Sequence, residues 1–148
     1  MRAFLTGFLV CCLSLSVAKA SVSEDNAVFE KIFAEWTDAF NQQQLQASCS
    51  LFAKSLVASY RGAPKKNYES ICSSFQRLFQ QKESRYQYQF KIHDVYRNGD
   101  LAAVRITWYL VIYKDNKKLS TTQDEGIDIF KRNQSGQWQI INYLAYPV

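Results

Sequence analysis

The apolar residues of this chain change their spacing once, near Lys82. Up to that point they recur at intervals of three and four residues, which is the period of a helix with one buried face. Beyond it, in "RYQYQFKIHDV" (residues 85–95), apolar and polar residues alternate, which is the period of a strand. Helices followed by successive strands are typical of the α+β class, so this change of period limits the possible folds more than any other feature.

Three helices are predicted in the first half of the chain. The first covers residues 21–41, and a shorter second helix covers residues 45–53. The third starts after Asn67, whose side chain can cap it, and ends at residue 79. Between the last two, "SLVASY" is predicted as a short strand and "RGAPKK" as a turn. The buried stripe of the first helix is expected to comprise Val28, Phe29, Ile32, Phe33, Trp36, Ala39 and Phe40.

Four strands are predicted after the change of period. The turn segments "RNGD", "DNKK" and "NQSGQ" separate the segments that alternate or are rich in β-branched and aromatic residues. Because each turn is short, neighbouring strands should run antiparallel as a four-stranded meander. The predicted strands are "RYQYQFKIHDV", "LAAVRITWYLVIYK", "LSTTQDEGIDIFKR" and "WQIINYLAYPV".

The first 20 residues, "MRAFLTGFLVCCLSLSVAKA", have the features of a secretory signal peptide. Arg2 is the only early charge, an apolar run follows, and Ala18-Lys19-Ala20 is a small-x-small cleavage motif. The run is shorter than the ~20 apolar residues of a membrane span. We therefore expect cleavage after Ala20, a single domain over residues 21–148, a secreted or periplasmic location, and no stable membrane span in the mature protein.

Charge and histidine content argue against several classes of function. Removal of the signal peptide leaves 16 basic and 13 acidic residues, a net charge of +3, which is too small to predict a nucleic-acid partner. His93 is the sole histidine and is predicted on a polar strand face with Gln89 and Lys91. A zinc site or a histidine-dependent triad would lack its other members, so we expect no metal and no cofactor.

Two cysteines remain after removal of the signal peptide, Cys49 and Cys72. An even pair in an oxidising compartment predicts a disulfide, here between the second and third helices. Closing such a loop would stabilise the protein by ~3 kcal/mol. Two separate buried thiols are the alternative.

The order of elements, together with "WTDAFNQQQLQASCSLFA" and "GIDIFKRNQSGQWQIINYLAY", resembles the nuclear transport factor 2-like superfamily. Its ketosteroid-isomerase-like and SnoaL-like branch is the most similar. The resemblance implies a cone-shaped, cystatin-like α+β roll, in which N-terminal helices pack on a curved, mainly antiparallel sheet and leave a pocket. It also implies a homodimer formed through the sheet.

Ketosteroid isomerase uses a tyrosine, an aspartate base and a protonated aspartic acid. Carried over to this sequence, the tyrosine falls at Trp36, the base near Tyr60, and the protonated acid at Asp128. Only the last position keeps its residue type. Without a base for proton abstraction, the resemblance does not predict steroid isomerisation.

The resemblance also implies which side chains face the pocket. The expected lining residues are Trp36, Tyr60, Tyr88, Trp108, Asp128, Phe130 and Asn142. Asp128 is the one candidate catalytic residue, because an acid in an apolar cavity stays neutral and can donate a hydrogen bond. Pairing with Arg105 or a backbone donor is the alternative for Asp128. Asp124, four residues earlier, either shares that face or is a solvated acid near a turn.

These observations favour a protein that binds a small apolar or aromatic molecule without a complete catalytic set. The alternative is a non-catalytic interaction module of the cell envelope that dimerises through the outer sheet face, with Tyr109 and Val111 among the contacts. An isomerase, dehydratase or hydrolase ranks below both, because such sites usually combine a His-Asp pair or several acids and amides.

Overall fold

The computed structural model describes the backbone of residues 18–148 and the side chains from Glu24 onward. The predicted signal peptide falls almost entirely on residues 1–17, outside the described residues. Cleavage after Ala20 and secretion therefore stay predictions. Within the part of the chain that the structure describes, no helix has the length and apolar character needed to cross a membrane.

Three helices and five strands make up the described chain, in the order that the change of period predicts. The helices are α1 (Ala18–Asn41), α2 (Leu45–Ser50) and α3 (Tyr68–Phe79). The strands are β1 (Phe52–Tyr60), β2 (Ser84–Asn98), β3 (Leu101–Lys114), β4 (Lys117–Arg132) and β5 (Trp138–Pro147). The α+β class is confirmed.

The five strands form one sheet in the order β1-β5-β4-β3-β2. The predicted antiparallel meander is correct for β2 to β5. β1 adds a fifth strand parallel to β5, with Val57 opposite Asn142 and Tyr60 opposite Ala145. The second helix was predicted too long. It ends at Ser50, because the residues from Phe52 onward pair with β5 instead of continuing the helix.

The helices cover one face of the sheet, which we call the inner face. No described helix covers the other, outer face. Phe29, Phe33 and Phe40 of α1 are fully buried, as the predicted stripe requires. The Phe33 ring meets the Trp108 ring edge-on, with 5.2 Å between ring centroids. The Phe29 ring lies 5.0 Å from that of Phe130. An aromatic core therefore fixes α1 on the middle of the sheet.

Two further contacts hold α2 and α3 in place. Cys49 and Cys72 form a disulfide, with Cα atoms 5.7 Å apart, which confirms the predicted link between these helices. The buried indole N–H of Trp36 donates to the Ser48 carbonyl at 2.8 Å and so ties α1 to α2. α3 begins at the predicted cap, since the Asn67 side chain accepts from the Ser70 N–H at 3.0 Å.

Gly126 lets β4 and β5 approach closely at the inner face. A Cβ atom at this position would lie 2.5 Å from the Leu144 carbonyl oxygen, inside the range of real contacts. Gly126 also lines the cavity between the helices and the sheet, as do Asp124 and Asp128, the residues two positions away on either side.

Candidate functional site

A cavity of about 330 Å³ opens between the helices and the inner face of the sheet. This volume is at the lower end of the range for small-molecule sites. α1, β1, α3 and the inner faces of β2 to β5 all contribute to its walls. Its lining includes Trp36, Phe52, Tyr60, Lys66, Phe75, Tyr88, Trp108, Asp124, Gly126, Asp128 and Tyr143.

Three aromatic side chains that were predicted for the pocket form one of its walls. The ring of Trp36 lies 5.1 Å from that of Trp108 and 5.4 Å from that of Tyr88, measured between centroids. Tyr88 and Trp108 meet edge-on at 5.7 Å. The side-chain amide of Asn41 makes two hydrogen bonds to the backbone of Tyr88. It donates to the Tyr88 carbonyl and accepts from the Tyr88 N–H. The wall is therefore preorganised for a flat or apolar ligand.

Asp128 lies deep in this cavity, as predicted, and only 5% of its surface is exposed. Burial raises the pKa of its carboxyl to about 7, although a hydrogen bond from Trp108 acts in the opposite direction. The alternative of pairing with Arg105 is wrong. Arg105 points to the outer face, where its Nε donates to Asp94 at 2.7 Å. Near neutral pH, Asp128 is thus divided between an acid that can donate a hydrogen bond and a carboxylate.

The Tyr60 hydroxyl donates to the Asp124 carboxylate at 2.7 Å. This contact joins β1 to β4, and Asp124 does share the inner face with Asp128. Burial, followed by the hydrogen bond to Asp124, raises the pKa of Tyr60 to about 12. The sequence offered no base near Tyr60, yet the structure places a carboxylate within hydrogen-bond distance of that side chain.

Tyr143 was missed by sequence reasoning. It lines the cavity from β5, directly opposite Asp128 on the neighbouring strand. Burial, together with the charges of Asp128 and Asp124, raises its pKa to about 12. Burial and the charge of Asp124 also raise the pKa of Tyr88. Three phenols and two acids therefore lie within electrostatic reach of one another in this cavity.

Two predicted lining residues lie elsewhere. Asn142 is exposed on the outer face, because the β4–β5 register shifts between Phe130–Ile140 and Ile129–Asn142. The extra residue, Ile141, reverses the alternation along β5 and turns Tyr143 inward instead. Phe130 does face inward, but it is fully buried in the core against α1 and does not reach the cavity.

His93 is outside the cavity, in agreement with its predicted place away from the site. It is half-buried rather than exposed, since its Nε2 lies 2.7 Å from the hydroxyl of the buried Thr107 on the outer face. Among residues 24–148 no group of three or more potential ligands is arranged to hold a metal ion. The titratable side chains that line the cavity are two carboxyls, three phenols and the amine of Lys66.

The comparisons with known proteins agree with this architecture. The family description "SnoaL-like domain" matches residues 33–140. A ketosteroid isomerase-like protein from Erwinia carotovora atroseptica superposes with a TM-score of 0.66 at 17% identity, over 84% of this chain and 97% of its own. An NTF2-like protein with a cystatin-like fold from Novosphingobium aromaticivorans gives a TM-score of 0.68 at 14% identity, over 93% of this chain and 92% of its own.

A Catenulispora acidiphila protein solved in complex with S-DNPA gives a TM-score of 0.69 at 9% identity, over 84% of this chain and 94% of its own. No curated protein sequence matches this chain significantly. At such low identities the structural likeness establishes the cystatin-like fold alone. The family match, in contrast, spans more than half of the chain, and the chain belongs to the SnoaL-like domain family.

Proposed function

We propose that this chain is a secreted or periplasmic protein that binds a small apolar or aromatic molecule in the cavity. The observation that carries the proposal is the position of Asp128, a nearly fully buried acid at the end of an aromatic-walled cavity of about 330 Å³. Burial favours the neutral form of this carboxyl, whose O–H can donate to a ligand oxygen while its other oxygen accepts from Trp108. The protonated acid then donates to that oxygen while Trp36, Tyr88 and Trp108 contact the apolar body.

The proposed location rests on two features. The first is the predicted signal peptide at residues 1–20. The second is the Cys49–Cys72 disulfide, a bond that persists in oxidising compartments and is rare in the cytosol. Mass spectrometry of the protein recovered from the culture medium or periplasm should give an N-terminus at Ser21. Recovery of the full-length chain from the cytosol would contradict the proposed location.

The binding proposal is tested with a neutral two-ring alcohol, 2-(2-naphthyl)ethanol, titrated calorimetrically into the oxidised protein. We expect saturable one-site binding to the unmodified chain. Asp128→Leu, which removes the donor, should weaken binding roughly tenfold, the effect of about 1.4 kcal/mol from one lost hydrogen bond. Asp128→Asn keeps a donor and should bind almost as well as the unmodified chain.

Asp94→Leu is the matched control, because Asp94 lies on the outer face and pairs with Arg105. We expect it to bind the alcohol like the unmodified chain. If the unmodified chain shows no binding, or if Asp94→Leu weakens binding as much as Asp128→Leu does, the proposed site is wrong.

We also propose that the outer face of β1, β4 and β5 forms a homodimer interface. Ile127 and Leu144 lie directly opposite each other on β4 and β5, and 43% and 58% of their surfaces are exposed. Val57 of β1 extends this apolar patch. Val111, one of the contacts expected from the sequence, is instead buried on β3.

The dimer is tested by light scattering after size-exclusion chromatography. Leu144→Glu should yield monomers, because it places a charge in the centre of the patch. Leu119→Glu, a matched change at an exposed position near the β3–β4 turn, should leave the dimer unchanged. A monomeric unmodified chain, or a dimer that survives Leu144→Glu, would contradict the proposal.

A further inference from the structure

The charged and polar groups of the cavity are almost all of one kind. Asp124 and Asp128 contribute carboxyls, and Tyr60, Tyr88 and Tyr143 contribute phenols. Among the described lining residues, Lys66 alone is basic. Lys66 is exposed, and its backbone N–H and carbonyl pair with Ala58 at the edge of the sheet. The cavity therefore combines acidic carboxyls with neutral phenols, and Lys66 is the one basic group among its described lining residues.

Asp124 is a carboxylate without an ion pair among the described residues. The ion pairs of this part of the chain involve Glu35, Asp25, Asp94 and Asp100. One oxygen of Asp124 accepts from Tyr60, and this half-buried carboxylate lines the cavity rather than the outer surface. The pKa of each of three neighbouring phenols is raised in part by its charge. A positively charged ligand group would relieve this excess of negative charge.

The aromatic wall adds a second attraction for a cation, independent of the carboxylates. Trp36, Trp108 and Tyr88 pack at mutually steep angles, with centroids 5.1 to 5.7 Å apart. Indole and phenol faces carry negative electrostatic potential and attract ammonium groups, most strongly where water is excluded. An anionic ligand would be repelled by both the wall and Asp124.

The two acids stand at different depths. They share one face of β4 and are four residues apart, which separates their Cα atoms by roughly 13 Å in an extended strand. Asp124 is half-buried beside Tyr60, whereas Asp128 is only 5% exposed. Asp124, Gly126 and Asp128 all line the same cavity, so an elongated ligand that lies along β4 can contact both acids.

From this arrangement we infer that the cavity selects an organic cation, namely an aromatic or polycyclic amine whose ammonium group pairs with Asp124 beside Tyr60. The inference rests on the proposed function, because it names the ligand class of the same cavity. The apolar body of the amine lies against Trp36 and Trp108. A hydrogen-bond acceptor at the far end of such a ligand would reach Asp128.

Three isosteric probes test the charge preference by titration calorimetry. They are 2-(2-naphthyl)ethylammonium, 2-(2-naphthyl)ethanol and 2-naphthylacetate, which share one ring system and differ in the charge of the terminal group. We expect the ammonium to bind roughly tenfold more tightly than the alcohol, since part of the charge attraction is lost to desolvation. The carboxylate should bind more weakly than either of the other probes.

Asp124→Asn tests the effect of charge at nearly constant side-chain shape. The amide keeps an acceptor for the Tyr60 hydroxyl but carries no negative charge. The ammonium should lose most of its roughly tenfold advantage in this variant, with only the attraction of the aromatic wall left, while the affinity for the alcohol stays unchanged. Asp94→Asn, the same substitution on the outer face, should retain the advantage. Circular dichroism and the unaffected alcohol affinity would show that Asp124→Asn is folded.

The outcomes distinguish this inference from the proposed function. If the alcohol binds at Asp128 as tightly as the ammonium, or if Asp124→Asn leaves the preference for the ammonium intact, the cation inference is overturned and the binding function stands. If none of the three probes binds, both are overturned. Preference for the ammonium in the unmodified chain and in Asp94→Asn, with loss in Asp124→Asn, supports the inference.

Discussion

Asp128→Asn should change how the stability of the protein depends on pH. The carboxyl of Asp128 is buried in the cavity, and its pKa is raised from 3.8 to about 7 because burial penalises the charged form. In the unfolded chain it is solvated and ionises near the lower value. Between these two values the folded state binds more protons than the unfolded state, so the free energy of unfolding falls as the pH rises.

The size of this effect follows from the two pKa values. Each pKa unit corresponds to about 1.4 kcal/mol, so the difference between 3.8 and about 7 amounts to roughly 4 kcal/mol. The contribution is fully present below about pH 4 and is lost as the pH rises through about 7. Asn at this position is neutral at every pH and removes the dependence.

Urea unfolding of the oxidised protein measures the prediction. The free energy of unfolding of Asp128→Asn, relative to that of the unmodified chain, should increase by up to about 4 kcal/mol between about pH 4 and about pH 8. Asp94→Asn is the control, because it removes an acid from the outer face. The difference between its free energy of unfolding and that of the unmodified chain should vary much less with pH. A difference for Asp128→Asn that stays constant within about 0.5 kcal/mol would refute the assignment of a buried, neutral Asp128.

Three further changes test the framework around the cavity. The double variant Cys49→Ser, Cys72→Ser should unfold at a lower temperature, with a free energy of unfolding that is lower by roughly 3 kcal/mol. Dithiothreitol should lower the melting temperature of the unmodified chain but not that of the double variant. Gly126→Ala should lower the free energy of unfolding in urea by roughly 1–3 kcal/mol, because the new Cβ would collide with the Leu144 carbonyl. If the variant is as stable as the unmodified chain, β5 can move away from this position. Asn67→Ala should cost about 1 kcal/mol by removing the cap of α3, and an unchanged urea midpoint would mean that Ser70 caps the helix alone.

The helices and the antiparallel strands could be predicted because their signals are local. The stripe from Val28 to Phe40 and the alternation from Tyr86 to Ile92 each lie within one element, and short turns fix the neighbours of β3 and β4. The parallel pairing of β1 with β5 joins segments more than 80 residues apart in sequence. No local pattern encodes that pairing, and it was not predicted.

The cavity could be predicted only in part, for two physical reasons. Alternation assigns a residue to a face but says nothing of its depth, so Phe130 was placed in the cavity although it belongs to the core. A single bulge at Ile141 then reverses the faces of the residues that follow, which exchanged Asn142 for Tyr143. The contact of Tyr60 with Asp124 depends on the pairing of β1, and it could be seen only once the strands were in place.

The central claim, that a protonated Asp128 donates a hydrogen bond to a ligand in the cavity, is tested most directly by infrared difference spectroscopy at a pH below about 7. The spectrum of the unmodified chain minus that of Asp128→Asn should contain the carbonyl band of one protonated carboxyl group. Saturation with 2-(2-naphthyl)ethanol should shift this band to lower wavenumber. The absence of a protonated carboxyl band, or a band that does not move when the probe is bound, would contradict the claim.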